Sequence, residues 1–122
     1  RPVFHKGMLF YDGVPKFDDY APEGGWLIVT EDEGRRVAEN LGSHRAQLLE
    51  GHGANTVGAS VEEVICATYD FVLNAQHLLA GLHVGEITFD PRDDEMARVT
   101  AEEMELSDVA VDRLWEYLTL RL

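Results

Sequence analysis

The feature that most constrains this chain is a run of apolar side chains between residues 61 and 82. Val61, Val64, Ile65, Thr68, Phe71, Val72, Ala75, Leu78, Leu79 and Leu82 recur in steps of three and four. That spacing is the signature of a long α-helix with a broad apolar stripe, whose task is to pack into a core. Ser60-Val61-Glu62-Glu63 marks its start as a capping box, in which the serine hydroxyl accepts from a free backbone N–H and the glutamate reaches back. Cys66 lies inside the pattern and is expected as a small buried apolar residue, not a nucleophile. His77 and His83 fall near the helix end, where partial positive charge is favoured, and are expected on the surface.

Shorter elements fill the rest. Residues 3–10 are apolar and aromatic, and Asp12-Gly13-Val14-Pro15 follows, which predicts a strand, a turn and an extended segment. Residues 18–25 read as loop and Trp26-Leu27-Ile28-Val29 as a short apolar element. Thr30-Glu31-Asp32-Glu33 is another capping box, opening a helix that runs to Leu41 and stops at Gly42. Residues 45–50 and 54–58 read as strands on either side of Gly51-His52-Gly53, and residues 86–95, with Pro91, as strand end and loop. Thr100-Ala101-Glu102-Glu103 is expected to start a last helix whose apolar set includes Val109, Leu114, Trp115 and Leu118. About four short strands make an incomplete sheet, since ~5–6 is usual. An open sheet edge is a docking edge, so the fold is expected to be finished against something else.

At 122 residues the chain holds one modest domain. Ten basic against 23 acidic residues leave a formal charge of −13. Such a surface repels nucleic acid and anionic membrane, both of which bind by phosphate neutralisation. No apolar run approaches the ~20 residues of a bilayer span. The single cysteine cannot form an internal disulfide, which fits a reducing, cytoplasmic setting. The sequence opens on Arg1 and enters ordered-looking sequence at once, so the expectation is a piece of a larger fold.

Chemistry points first to His52. Held between two glycines at the mouth of a strand, its imidazole can be aimed at a ligand, and a cation can approach closely. The plainer alternative is a buried histidine satisfied by backbone.

The segment His44-Arg45-Ala46-Gln47-Leu48-Leu49-Glu50-Gly51-His52-Gly53, then Thr56-Val57-Gly58 and Ser60-Val61-Glu62-Glu63, resembles the class II aldolase/adducin family. The likeness continues through Asn74-Ala75 and, more loosely, Arg113-Leu114-Trp115-Glu116; upstream, Val14-Pro15 and the capped helix to Leu41-Gly42 stand in the expected order. It covers nearly all of the chain, residues 1–122, but only the C-terminal portion of the family's domain. The resemblance implies a three-layer α/β/α sandwich with a mixed, mostly antiparallel central sheet, incomplete in this chain. It also implies that His52 is a ligand of a catalytic divalent metal, zinc foremost, with manganese, magnesium or iron in other members. The remaining ligands come in that family from a His-x-His pair in the N-terminal half. No such pair occurs among His5, His44, His52, His77 and His83. The implied partners are therefore a complementary N-terminal chain or segment carrying His-x-His, and further copies in a homo-oligomer, commonly a tetramer. The implied substrate is a small anionic carbonyl compound or hydroxy acid.

The reaction class that follows is a lyase, by decarboxylation of an aromatic or hydroxy acid or by retro-aldol cleavage through an enolate. The Gly51-His52-Gly53-Ala54 form, with Asn74-Ala75, is more similar to the family's decarboxylases than to its sugar-phosphate aldolases. A ferrous-iron oxygenase on the same scaffold and a non-catalytic, adducin-like interaction module are the alternatives. His5 lies near where some members place a proton-donating tyrosine and is a candidate acid/base, against the reading of a solvated chain end. Tyr117 and Trp115 could cover a neighbouring copy's active site, or pack in a core or interface. Arg45 and Arg121 are candidate anion contacts, or surface ion pairs of little worth. His44, at the start of its strand, is expected to be exposed.

Overall fold

The computed structural model describes residues 2–86 and 94–120. They divide into two compact units, one of residues 12–57 and the other of residues 1–11 with 58–122.

In the first unit, β1 (Lys16–Phe17) pairs parallel with β2 (Ala46–Leu49), which pairs antiparallel with β3 (Gly53–Thr56). The order β1-β2-β3 makes a mixed three-stranded sheet whose antiparallel pair is the longer. The strands around Gly-His-Gly form, β2 within the expected 45–50 and β3 shifted to begin at Gly53 and end at Thr56 where 54–58 was expected. Helix α1 (Glu31–Leu41) begins with both arms of its capping box made and ends at Gly42, φ +56°. Gln47 docks this helix on the sheet from a fully buried position on β2: its Nε2 donates to the Val37 carbonyl at 3.1 Å, and its Oε1 accepts from Asn40 Nδ2 at 2.8 Å. Residues 26–29 form turn and loop, not a regular element, and stand exposed.

Glu33 is the other buried polar residue of this unit, and its carboxylate does more than cap. Oε1 accepts from the Ala21 N–H at 2.8 Å, while Oε2 takes the Val29 N–H, the Thr30 N–H and the Thr30 hydroxyl within 3.1 Å. The loop from 21 to 30 is thereby closed on the first turn of α1. The Ala21 backbone N–H first, then those of Val29 and Thr30 with the Thr30 hydroxyl, outweigh burial and lower the Glu33 pKa from 4.5 to about 2.

In the second unit, residues 3–10 do not form the expected strand. His5–Phe10 is a 3-10 helix with Gly7, Met8, Leu9 and Phe10 all buried. A short apolar run carries no usable periodicity, and burial on every side suits a tight helix as well as a strand. Gly7 is required here, because a Cβ on it would meet Asn74 Oδ1 at 2.2 Å, the atom that accepts from the Val3 N–H at 3.0 Å.

Helix α2 (Val61–Val84) is the long helix read from the sequence, capped by Ser60 as expected; Glu63 reaches back one residue further, to the Ala59 N–H. Its buried line differs from the expected stripe. Cys66, Ala67, Asp70 and Asn74 are buried, whereas Val61, Ile65, Val72, Leu79 and Leu82 are exposed. A helix apolar on most of its circumference is one meant to be covered on more than one side.

Thr100-Ala101-Glu102-Glu103 does not open the last helix. Helix α3 (Asp94–Val99) has already begun and continues as a π-helical turn over Thr100–Glu105. The Thr100 hydroxyl bonds back to the Met96 carbonyl at 2.8 Å, as a mid-helix threonine does. Ser107 is the true cap, of α4 (Asp108–Thr119). The expected strand end at 86–95 lies mostly outside the described residues, and Asp94 is already helical. Met8, Ala97 and Ala101 pack together with Tyr11 beside them, and Phe10 meets Phe71 edge to face.

The lowered Glu33 pKa makes the charge a source of stability above the ordinary carboxylate range, one that fades as pH falls through about 2. Glu33→Gln is expected to lower the thermal midpoint at neutral pH, and the gap from wild type should close on acidification toward that value. Thermal melts of both proteins across this range check it; a gap that persists unchanged at pH 2 contradicts it.

Candidate functional site

His52 sits on the β2–β3 hairpin. Leu49 and Gly53 face each other as the last pair of the ladder, and the His52 N–H donates to the Leu49 carbonyl at 3.0 Å. Gly51, φ +67°, turns the chain in a conformation that side chains resist. A second constraint falls on the same glycine: a Cβ there would lie 2.9 Å from the Trp26 ring. Trp26 meets Tyr20 edge to face at 5.6 Å, and Tyr20 meets Phe17 likewise at 5.2 Å, so an aromatic series runs from β1 to the back of the turn. Lys16 bonds Glu50 Oε1 at 3.2 Å from the side. The result is a braced turn with an exposed imidazole. The alternative of a buried, backbone-satisfied histidine is not what the hairpin shows.

Among the described residues, no three of His, Cys, Asp and Glu converge where they could hold a metal ion. A catalytic zinc site draws about three ligands from protein. The donor set here does not fit a complete site: His52 presents one donor of the right type, and no group of three forms among the described residues.

The remaining candidates scatter. His44 is half-buried, its Nδ1 2.9 Å from the Leu41 carbonyl at the end of α1, contrary to the expected exposure. A helix C-terminus offers free carbonyls, and an imidazole N–H is a fitting cap. Arg45 is half-buried and Arg121 lies outside the described residues. His77 and His83 are exposed as expected, and Cys66 is buried, its Sγ 3.5 Å from the Val111 carbonyl. Burial pushes the Cys66 thiol up, away from reactivity. Tyr117 is 44% exposed on α4, and Trp115 is half-buried.

His5 stands in a group that sequence reasoning missed. Its Nε2 is 3.8 Å from Glu105 Oε1, and its neighbour Lys6 reaches both Glu105 Oε2, at 3.2 Å, and Asp70 Oδ2, at 3.5 Å. The cluster joins the 3-10 helix, α2 and the π-helical turn. Burial works against the Lys6 ammonium, but Asp70 and Glu105 outweigh it and raise its pKa. Asp70 goes up too: burial is the largest cause, the Lys6 charge opposes it, and the Glu105 charge adds to it. Lys6 and Glu105 are too far apart in sequence to suggest each other. Cys66, Asp70 and Asn74, at spacings of four, did carry a signal of one polar line down an apolar helix.

A family model described as Class II Aldolase and Adducin N-terminal domain matches residues 2–79. A protein of Streptomyces roseochromogenus subsp. oscitans, named 4-hydroxy-3-prenylphenylpyruvate oxygenase/4-hydroxy-3-prenylbenzoate synthase, is 31% identical over 105 residues, covering 84% of this chain and 35% of that protein. Decarboxylase NovR of Streptomyces niveus is 34% identical over 61 residues, 50% of this chain and 21% of its own length. Among solved structures, an aldolase II superfamily protein from Pseudomonas syringae superposes with a TM-score of 0.74 at 22% identity, over 99% of this chain and 46% of that one. That likeness shows the fold, an α/β fold of the class II aldolase type, as the sequence led us to expect. The chain spans less than half the length of each of these proteins. On the family match and the first relative together, the chain belongs to the class II aldolase and adducin family.

Proposed function

We propose that this chain is part of a class II aldolase-like lyase and that His52 is its one contribution to a divalent-metal site. The observation that carries the reading is the braced hairpin, which spends a positive-φ glycine and a tryptophan on presenting a single exposed imidazole. The other donors are assigned to a complementary chain or segment bearing His-x-His, in keeping with relatives more than twice as long. The exposed apolar side of α2 supports the same view, since such a face is costly unless something covers it. Zinc is the metal we favour, ahead of manganese, magnesium and iron.

The reaction we favour is decarboxylation of a small aromatic or hydroxy acid, supported by the relative named a decarboxylase, with retro-aldol cleavage as the related form. Either reaction breaks a C–C bond and must return a proton to the carbon that keeps the electron pair. His5 is assigned to that acid/base work, and the exposed Tyr117 to a neighbouring copy's site in a homo-oligomer, a tetramer by family habit. The charge of −13 fits a cytoplasmic protein that binds neither nucleic acid nor membrane; no described helix is long and apolar enough to cross one. A second reading, a ferrous-iron oxygenase, is favoured by the name of the other relative.

The assembled protein should bind divalent metal stoichiometrically, and His52→Ala should abolish both metal binding and turnover. Metal analysis and assay check this; full activity without metal sinks the reading, and a His52→Ala protein unchanged in every property favours the interaction module. Gly51→Ala keeps the imidazole but strains the turn by about 1–2 kcal/mol and strikes Trp26. It should weaken metal binding on the order of tenfold or more, as loss of ligand support does. Turnover that continues without oxygen identifies the lyase; turnover that stops identifies the oxygenase.

A further inference from the structure

Two carboxylates are buried against one ammonium in the unit that carries His5. Asp70 is 3% exposed in the middle of α2, and the Glu105 side chain is 8% exposed on the π-helical turn. Lys6 stands between them. One positive charge cannot compensate two negative ones, and an uncompensated charge removed from water takes up a proton instead of staying ionised. The contacts indicate where that proton sits. Glu105 Oε2 accepts from Lys6 Nζ at 3.2 Å, and its Oε1 faces His5. Asp70 Oδ2 faces the same ammonium at 3.5 Å. Asp70 Oδ1 is buried and has no hydrogen-bond partner among the described residues. An oxygen turned toward an ammonium resists protonation; the other oxygen does not.

We propose that Asp70, Lys6, Glu105 and His5 form a proton-holding site, in which two buried carboxyls share one proton seated on Asp70 Oδ1, with His5 as its edge toward solvent. The His5 side chain is 67% exposed, so the cluster reaches water through an imidazole. The other group that faces Asp70 is the Cys66 thiol, one turn earlier on α2 and itself neutral by burial. Asn74 Oδ1, one turn later, accepts from the Val3 N–H.

The use of such a site rests on the lyase reading. When the C–C bond breaks and carbon dioxide or an aldehyde leaves, the electron pair stays on carbon, and a C–H bond forms with a proton drawn from an acid. In this scheme His5 is the acid that meets the carbon, and the neutral Asp70 carboxyl is the proton store behind it. Asp70, Lys6 and Glu105 act through His5 and are positioning residues. The sign for stability follows from the raised Asp70 pKa. The folded chain keeps a proton that the unfolded chain releases, so this contribution is present at low pH and is lost as pH rises through the folded value.

The test is a carboxyl ¹³C NMR titration of the chain labelled at aspartate, with no substrate or metal present. Asp70 is expected to titrate above the other aspartates as a group. Glu105→Gln should move its midpoint down, by removing a like charge, and Lys6→Met should move it up. An Asp70 that titrates with the rest, or that ignores Glu105→Gln, overturns the proposal. Where Lys6→Met does not fold, the wild-type and Glu105→Gln titrations decide. A failed titration leaves the lyase reading standing, and a chain without lyase activity leaves the titration standing.

Discussion

The hairpin that offers His52 depends on a carboxylate at the far end of its unit. Glu33 gathers donors from Ala21, Val29 and Thr30, which fixes both ends of the loop between them. That loop carries Trp26, whose ring lies against Gly51. The glycine in turn permits the positive φ that brings His52 round to bond the Leu49 carbonyl. Each step is local, yet together they link the first turn of α1 to an imidazole nineteen positions away in sequence (33 to 52). Within the loop the Gly24 N–H bonds the Ala21 carbonyl and the Leu27 N–H the Gly24 carbonyl, each at 3.1 Å, and the Glu33 clamp ties that turn to α1.

What the sequence made legible follows from the range of each signal. Capping boxes are written within four residues, and at Thr30 and Ser60 the serine or threonine caps as read. At Thr100 the same pattern misleads, because nothing within four residues says that a helix has already started upstream. The Gly-His-Gly hairpin is equally local and forms where expected. His5–Phe10 becomes a 3-10 helix where a short apolar run carries no usable period, and the Asn74 side chain that requires Gly7 there lies far off in sequence. His5, His52 and Tyr117 could be singled out because their residue types or neighbours mark them. The Lys6–Asp70–Glu105 cluster could not, because its members meet only through the packing of three elements.

The apolar spacing of α2 predicts a single core stripe, and the folded helix buries a different line. Cys66 and Ala67 face the packed side with Asp70 and Asn74, while Val61, Ile65, Val72, Leu79 and Leu82 face out. A helix with small and polar residues inside and larger aliphatic ones outside is unstable as a surface element in water. On the proposed reading His52 is in a similar case: among the described residues no metal-holding group forms around its exposed imidazole, and further polypeptide would have to supply the rest. The relatives are more than twice the length of this chain.

The two buried acids make the sharpest contrast in the molecule. Glu33 accepts from four donors and is held ionised, its charge turned to structural use. Asp70 is nearly as buried, shares Lys6 with a second carboxylate and has one oxygen without a donor among the described residues. A purely structural role would be served better by an apolar residue of similar volume, since half-satisfied buried charge costs more than packing returns. Local rules are broken where function needs them broken. The polar line through an otherwise apolar helix is therefore informative because it is a poor way to hold α2 in place. It makes sense as chemistry, in a unit where the exposed His5 imidazole stands beside the same pair of carboxyls.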